Sequence, residues 1–303
     1  MELKWAPILG ELEQKDQTLI FKGGTTDFEG RPQIAIGNFL SDQMFSGGKI
    51  LADVQFDAVD EYSACDIILF YEPSTRFFVT AGIGAVGSLY TIRHFRNQWV
   101  IHGQVGERKN LVAKRKYHLE VIVIGSNVSL RVEGIVVLSL CLPYQVPQSQ
   151  VGVWCMSKSN IFISNYKVST ERPKAFVVMQ FSEPYNELYQ EVIHRICDEF
   201  KIDAKRADEV YGPGVIIADI VKQIVESKLI IAEITPANPN VYYEIGYAHA
   251  LGKPTILIAE KATELPFDVS PFRVLFYENT IAGKKRIEDG LRRHLESILG
   301  RVV

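Results

Sequence analysis

The segment from Ile231 to Pro254, Ile-Ala-Glu-Ile-Thr-Pro-Ala-Asn-Pro-Asn-Val-Tyr-Tyr-Glu-Ile-Gly-Tyr-Ala-His-Ala-Leu-Gly-Lys-Pro, constrains the fold more than any other part of the chain. It reads as the end of a buried strand, a polar turn, a capped helix and the approach to another strand. Leu229 to Ile231 supply the apolar run before the turn. Asn238 is a favourable N-cap, because its side-chain oxygen can accept from an otherwise orphaned first-turn amide. Pro239 fits the first helical position, where its missing N–H would be unpaired anyway. Gly252 stands where a left-handed C-cap belongs, and Pro254 follows it. Val241, Ile245, Ala248 and Leu251 make one apolar stripe, while Tyr243, Glu244 and Tyr247 share another face. A carboxylate between two tyrosines, near a helix N-terminus just beyond a strand, marks a small-molecule site.

From about residue 170 onward the pattern alternates strand and helix. Ala175 to Met179, Leu229 to Ile231, Thr255 to Ile258 and Val274 to Phe276 read as strands. Tyr189, Val192, Ile193, Ile196 and Phe200 fall at helical spacing, as do Ile217, Ile220, Val221 and Ile224. Ile287, Leu291, Leu295 and Ile298 close the chain with an amphipathic helix. This alternation predicts a parallel sheet with helices on both faces. Before residue 170 the apolar residues alternate or come in short runs between turns such as Gly23-Gly24, Gly47-Gly48, Gly125-Ser126-Asn127 and Glu133-Gly134. Many short strands without a convincing helix predict a β-sandwich. The expected domains are therefore an all-β half, 1–168, and an α/β half, 174–303, joined by the polar linker 169–173.

A length of 303 residues suits more than one domain of about 100–200 residues. With 47% hydrophobic residues and a net charge of −3, nothing points to nucleic acid as a partner. The basic runs Lys114-Arg115-Lys116 and Lys284-Lys285-Arg286 read as a solvated loop and a helix face. No segment approaches the roughly 18 apolar residues a membrane span needs, so no membrane partner is expected. Cys65, Cys141, Cys155 and Cys197 lack the spacing of a zinc site or a disulfide framework, and a cytoplasmic location is the expectation. No metal and no cofactor are implied, and a homo-oligomer is compatible with the composition.

In an open parallel sheet, ligands bind beyond the carboxyl ends of strands where strand order reverses. An order of 2-1-3-4-5 places that point between the first and third strands of the second half. The loops there are Gln180 to Tyr185 and Thr235 to Asn240, with Glu244 close behind the second. The loop Arg206 to Gly214 should border the same cleft.

These same residues carry a resemblance. Ala175-Phe-Val-Val-Met-Gln-Phe181, Arg206-Ala-Asp-Glu209 and Asn238-Pro-Asn-Val-Tyr-Tyr-Glu-Ile-Gly-Tyr-Ala-His-Ala250 resemble the nucleoside 2-deoxyribosyltransferase-like group, a flavodoxin-like relative of Toll/interleukin-receptor (TIR) domains. The resemblance implies a pocket for a nucleoside, nucleotide or NAD. It also implies that Glu244 matches the acid that attacks the anomeric carbon of the sugar, or that serves NAD cleavage in TIR enzymes. Gln180, Phe181, Arg206, Asp208, Asp219, Asn238, Asn240, Tyr243 and Tyr247 are its neighbours in that reading. The chain departs from the transferases where Asn238 and Asn240 replace an Asp and a Gly, and where Met179-Gln-Phe replaces Gly-Pro-Phe. Asp219 is an approximate counterpart of a second family Asp.

In the first half, Tyr117-His-Leu-Glu-Val-Ile-Val-Ile-Gly-Ser-Asn-Val-Ser-Leu-Arg-Val-Glu-Gly134, Val151-Gly-Val-Trp154 and Ile161 to Val168 resemble a concanavalin-A-like jelly roll. Gly82-Ile-Gly-Ala-Val-Gly87 fits the GxGxxG pattern, but the residues after it read as a strand, so it is taken as a turn. Plainer roles compete with the sharper ones. Glu244 could merely complement the helix dipole, for about 0.3–1 kcal/mol. Asn238 is equally explained by capping, Arg206 and Asp208 by a surface ion pair, and His249 by packing. The expected function is cleavage or transfer of an N-glycosidic bond, with the sandwich as a recognition or assembly module. The alternatives are a non-catalytic nucleotide sensor, or a carbohydrate-binding protein acting through the sandwich; a glycan or a protein would then be the sandwich's ligand.

Overall fold

The computed structural model describes residues 3–28, 31–85, 87–209, 216–267, 269 and 271–299. The chain divides into two compact units. One comprises the residues up to Leu142 together with Val146–Glu171, and the other Pro143–Gln145 together with the residues from Arg172 onward.

The first unit is built from antiparallel strands. In chain order they are β1 (Trp5–Leu9), β2 (Leu12–Lys15), β3 (Thr18–Phe21), β4 (Thr25–Phe28), β5 (Arg31–Ile34) and β6 (Ile36–Phe45). Next come β7 (Gly48–Phe56), β8 (Ala64–Glu72), β9 (Phe77–Ile83), β10 (Tyr90–Arg96) and β11 (Gln98–Val105). The last are β12 (Lys116–Ile124), β13 (Asn127–Val132), β14 (Ile135–Cys141), β15 (Ser149–Met156) and β16 (Ile161–Thr170). They form two seven-stranded sheets, β1-β6-β15-β8-β9-β10-β11 and β14-β13-β12-β7-β16-β3-β2, with β4 and β5 as a separate hairpin. The result is a jelly-roll-like sandwich.

Alternation explains the strands. In β12, Tyr117, Leu119, Val121 and Val123 are buried while the residues between them are exposed or half-buried. A strand with period 2 can cover a core with one face only. Phe21 of one sheet meets Phe39 of the other with ring centroids 6.1 Å apart, which fixes Phe39 as core-facing. Ile124 pairs with Asn127, leaving Gly125-Ser126 as a two-residue hairpin, and Gly125 takes the positive φ of 60° that such turns require. Gly82 lies near the end of β9 and Gly84 just beyond it, and the chain leads back into β10, not into a helix; Val86 of that motif lies outside the described residues.

The other face of the first sheet is also covered, which alternation alone does not reveal. Leu40, Ile68, Tyr71, Phe78 and Trp154 cluster there, with Phe95 and Trp99 packed against them. Among them sits a buried ion pair. Arg93 donates to Asp66 Oδ2 from Nε at 3.0 Å and from Nη2 at 2.8 Å, and the Thr80 hydroxyl donates to the same oxygen at 2.9 Å. The guanidinium lies 3.9 Å from the Trp99 ring and 5.0 Å from that of Trp154.

The second unit holds five parallel strands: β17 (Lys174–Val178), β18 (Asp203–Arg206), β19 (Leu229–Glu233), β20 (Thr255–Glu260) and β21 (Val274–Tyr277). Their order, β18-β17-β19-β20-β21, is 2-1-3-4-5 within the unit. The helices are α1 (Tyr185–Leu188), α2 (Arg195–Glu199), α3 (Ile216–Glu226), α4 (Pro239–Ala250) and α5 (Ile281–Leu299). A π-helical turn, Tyr189–His194, joins α1 to α2 without a break. One apolar cluster, with Val177, Ile231 and Ile258, packs against Tyr189, Ile193, Leu291 and Leu295. The other, with Phe176, Val178, Ile230 and Leu257, packs against Ile224, Val241, Ile245 and Ala248. Both faces of the sheet are thus covered. No described helix is long and apolar enough to cross a membrane. The strand β16 continues through Ser169 and Thr170, so the connection to β17 is shorter than the sequence pattern implies.

Removing one partner of a buried pair leaves an uncompensated charge, so Asp66→Ala should lower unfolding stability by about 3–5 kcal/mol in denaturant titration. Breaking the exposed, solvent-screened pair Lys261–Glu278 should leave it essentially unchanged. Limited proteolysis should cut at 171–173 and leave two protease-resistant fragments; progressive degradation without stable fragments would show that the units do not persist separately.

Candidate functional site

Glu244 comes to its position through two turns of local chemistry. The strand β19 ends at Glu233, and residues 234–238 form the turn before α4. Asn238 is in extended conformation and accepts from the Asn240 amide at 3.0 Å, as a helix cap does. Pro239 follows at the first helical position. The stripe of Val241, Ile245 and Ala248 then anchors α4 to the sheet. This orientation leaves Tyr243 exposed, Tyr247 half-buried and Glu244 buried, at 8% exposure. Glu244 lies in the second helical turn, where the dipole has largely faded, so dipole complementation does not account for it.

No side chain among the described residues donates a hydrogen bond to the Glu244 carboxyl. Burial alone raises its pKa from 4.5 to about 7. A second acid stands nearby in the topology. Glu233 is the last residue of β19 and is 1% exposed. Alternation along β19 turns it to the α1/α5 side of the sheet, with Ile231, whereas α4 covers the other side. It accepts from the Thr235 amide at 2.9 Å and from the Tyr277 hydroxyl at 3.3 Å. Burial still outweighs these bonds and pushes Glu233 up to about 8, with Glu260 adding to the rise. The Tyr242 hydroxyl, from the first turns of α4, is buried without a partner among the described residues. Burial, then the charge of Glu233, raises its pKa. Sequence reasoning passed over Glu233 as part of a strand. The available signal was an acid closing the otherwise apolar run Leu-Ile-Ile-Ala-Glu-Ile.

Other residues singled out from the sequence have mixed placements. Arg206 ends β18 and is 7% exposed. Its Nε and Nη2 donate to both oxygens of Asp208 at 2.7 and 2.6 Å, and its Nη1 to Asn186 Oδ1 at 2.8 Å. Its guanidinium lies 5.1 Å from the ring of Phe181 and 4.7 Å from that of Tyr189. Arg206 is thus engaged in a bracket that holds the ends of β17 and β18. Phe181 is half exposed beside it, and Gln180 donates to the Ser182 hydroxyl at 2.8 Å. Asp219 sits half-buried in the first turn of α3. Asn240 is exposed, with its backbone committed to the cap. His249 stacks on Phe272 with centroids 4.5 Å apart. Residues 210–214 of the loop expected to border the cleft lie outside the described residues. A cavity of about 150 Å³ opens on the α1/α5 side, lined by Glu187, Glu191, Glu260, Tyr277 and Lys284, and Glu244 does not line it.

No family model and no curated protein matches the chain. Similar solved structures include a carbohydrate-binding module, CBM66, from Bacillus subtilis. It is 13% identical with a TM-score of 0.45, covering 55% of this chain and 93% of that one. A prokaryotic β-1,3-1,4-glucanase (lichenase) from a mouse hindgut metagenome is 11% identical with a TM-score of 0.38, covering 54% and 89%. A 2-deoxyribosyltransferase from Bacillus psychrosaccharolyticus is 13% identical with a TM-score of 0.32, covering 38% and 90%. Likenesses at this level carry no functional argument.

The raised carboxyls set a pH dependence. The folded chain keeps protons on Glu244 and Glu233 that the unfolded chain gives up from about pH 4.5. Stability therefore falls as pH rises toward about 7 for Glu244 and about 8 for Glu233, then levels off. Glu244→Gln should match the native chain below pH 4.5 and exceed it by about 2 kcal/mol at pH 8, in unfolding titrations at both values. Equal stability at pH 8 would mean that the carboxyl is solvated.

Proposed function

We propose that the second unit binds a nucleoside, a nucleotide or NAD and breaks its N-glycosidic bond, with Glu244 as the acting carboxylate. The observation that carries this reading is the isolation of Glu244: a buried carboxyl with no described donor, in the second turn of the helix that follows β19 in a 2-1-3-4-5 sheet, whose order reverses between β17 and β19. A carboxylate without hydrogen-bond donors, in a poorly solvated place, interacts strongly with a cation that develops beside it. In this reaction the anomeric carbon gains positive character as its bond to the base nitrogen breaks. The bonding pair leaves with the base; a nucleobase takes up a proton from water, whereas the nicotinamide of NAD, a cation before cleavage, leaves neutral without one. Glu244 either bonds to the carbon, giving a glycosyl ester that water or a second base then opens, or stabilises the cation while water adds. The first unit then serves recognition or assembly.

A nucleotide sensor without catalysis is the second reading. It is favoured by the commitment of Asn238 to capping and of Arg206 to Asp208 and Asn186, which leaves fewer groups to handle a leaving base.

Incubating the full chain with nucleosides, nucleotides and NAD, and measuring released base by chromatography, tests both. Release is expected, with a rate that rises with pH through about 7 as Glu244 ionises. Glu244→Gln should slow release at least about a hundredfold while changing ligand affinity less than about tenfold. Binding without release would favour the sensor, and full release by the Gln variant would remove Glu244 from the chemistry.

A further inference from the structure

The first unit carries a pair of histidines that the chemistry proposed for Glu244 does not use. His94 of β10 and His102 of the edge strand β11 meet with His94 Nδ1 and His102 Nε2 2.8 Å apart. Their ring centroids are 4.9 Å apart and their planes are inclined at 41°. Both residues are half-buried, so solvent reaches the pair.

Local structure brings the two rings together. Strand β10 is paired with β9 on one side and β11 on the other, which fixes the backbone at His94. The register of β10 with β11 slips between Ile92 and Arg93. Arg93 pairs with Ile101 and Ile92 with Gly103, so His102 is the extra residue of a β-bulge. A bulge re-aims a side chain, and bulges gather at sheet edges and beside functional sites. The Phe77 ring lies 5.2 Å from that of His94 and packs beside it. Alternation turns Arg93 to the opposite face, where Asp66 holds its guanidinium, so its charge is not presented to the pair.

The spacing of the two nitrogens suits a metal ion. Two metal–nitrogen bonds of about 2.0–2.1 Å separate their nitrogens by about 2.9 Å at a right angle and by about 3.4 Å at a tetrahedral angle. The spacing of 2.8 Å lies nearest the right angle. Square-planar and tetragonal coordination by nitrogen is the preference of Cu(II) and Ni(II), whereas Zn(II) favours the tetrahedron. Either ring nitrogen of a neutral imidazole can ligate. Burial lowers the pKa of both rings below the ordinary 6.5, with Arg96 adding to the effect on His94 and His94 to that on His102. Chelation needs the proton between the rings to move to the other nitrogen of its own ring, which leaves both imidazoles neutral. We propose that His94 and His102 chelate one late first-row divalent metal ion, Cu(II) foremost. Among the described residues no third His, Cys, Asp or Glu completes a cluster, so water fills the remaining positions. The ion would staple the edge strand β11 to β10. This site is independent of the chemistry proposed for Glu244.

The test is calorimetric titration of the full chain with Cu(II), Ni(II) and Zn(II), and electron paramagnetic resonance of the copper form. Cys141→Ser in every chain removes the exposed thiol that Cu(II) would oxidise. The tightest site should hold one Cu(II), bind Ni(II) and Zn(II) more weakly, and show two coupled imidazole nitrogens. His94→Gln and His102→Gln should each weaken it at least about tenfold, the lower end of what even an outer-shell partner contributes. His118→Gln, in the other sheet, should leave it unchanged. Gln keeps a hydrogen-bonding group between the strands, so the variants test metal binding apart from folding. Copper should raise the melting temperature of the native chain more than that of either variant. If a variant fails to fold, selective broadening of the His94 and His102 ring resonances by Cu(II) in the native chain decides. Equal copper affinity in the native chain and a folded His94 or His102 variant would overturn the assignment. So would a single coupled imidazole, tightest binding by Zn(II), or broadening that spares His94 or His102.

Discussion

Everything in the second unit depends on one requirement: a parallel sheet must be covered on both faces. Its inner strands cannot show a side to water, so β19 is buried along its whole length and β17 and β20 are apolar between their ends, with helices above and below. Among the described residues β17, β18, β19 and β21 each lead from their carboxyl end toward a helix, whereas β20 leads to β21 without one. Glu233, Glu260 and Tyr277 are the last residues of their strands, Arg206 ends another, and Glu244 follows one turn later. The candidate residues at the carboxyl edge of the sheet are thus far apart in sequence, because each comes from a different strand or from the helix after it.

The two units meet the difficulty of buried charge differently. In the first, Asp66 remains with a cation, held by two hydrogen bonds from Arg93, one from Thr80, and flanking indole rings. The arrangement is specific but incomplete. Asn38, Asp66 and Thr91 lie in one cross-strand row, and each keeps one oxygen without a partner among the described residues. In the second unit Asp208 is likewise paired, with Arg206, but Glu233 and Glu244 have no cation and their proton affinity rises instead. A paired acid contributes structure, whereas an unpaired one keeps a reactive group available near neutral pH.

Much of this was legible in the sequence, and the reasons differ by element. The capped helix α4 follows from Asn238, Pro239 and the Val241–Ile245–Ala248 stripe, because capping and periodicity are local. The strands β12 and β13 follow from strict alternation around Gly125. The strand–helix alternation after residue 170, and the order 2-1-3-4-5 expected from it, match the sheet. Long-range facts were not legible. The β4–β5 hairpin has no strong pattern, and the π turn keeps the apolar spacing of an ordinary helix. The second covered face of the first sheet brings together Arg93, Trp99 and Trp154, which no local rule connects. Glu233 was hidden because a strand-ending acid looks like a boundary.

The four cysteines acquire a use that their sequence spacing did not disclose. Cys65 and Cys155 face each other across adjacent strands with sulfurs 3.8 Å apart, both buried; Cys197 is buried in the other unit, and Cys141 is exposed. The Cys155 contact and burial hold the Cys65 thiol well above its ordinary range, and burial pushes Cys197 up to about 12. A thiol reagent added to the folded chain therefore meets one reactive sulfur at once and three that must wait for the backbone to open. Labelling followed residue by residue gives separate clocks for the breathing of each unit, without a single engineered probe.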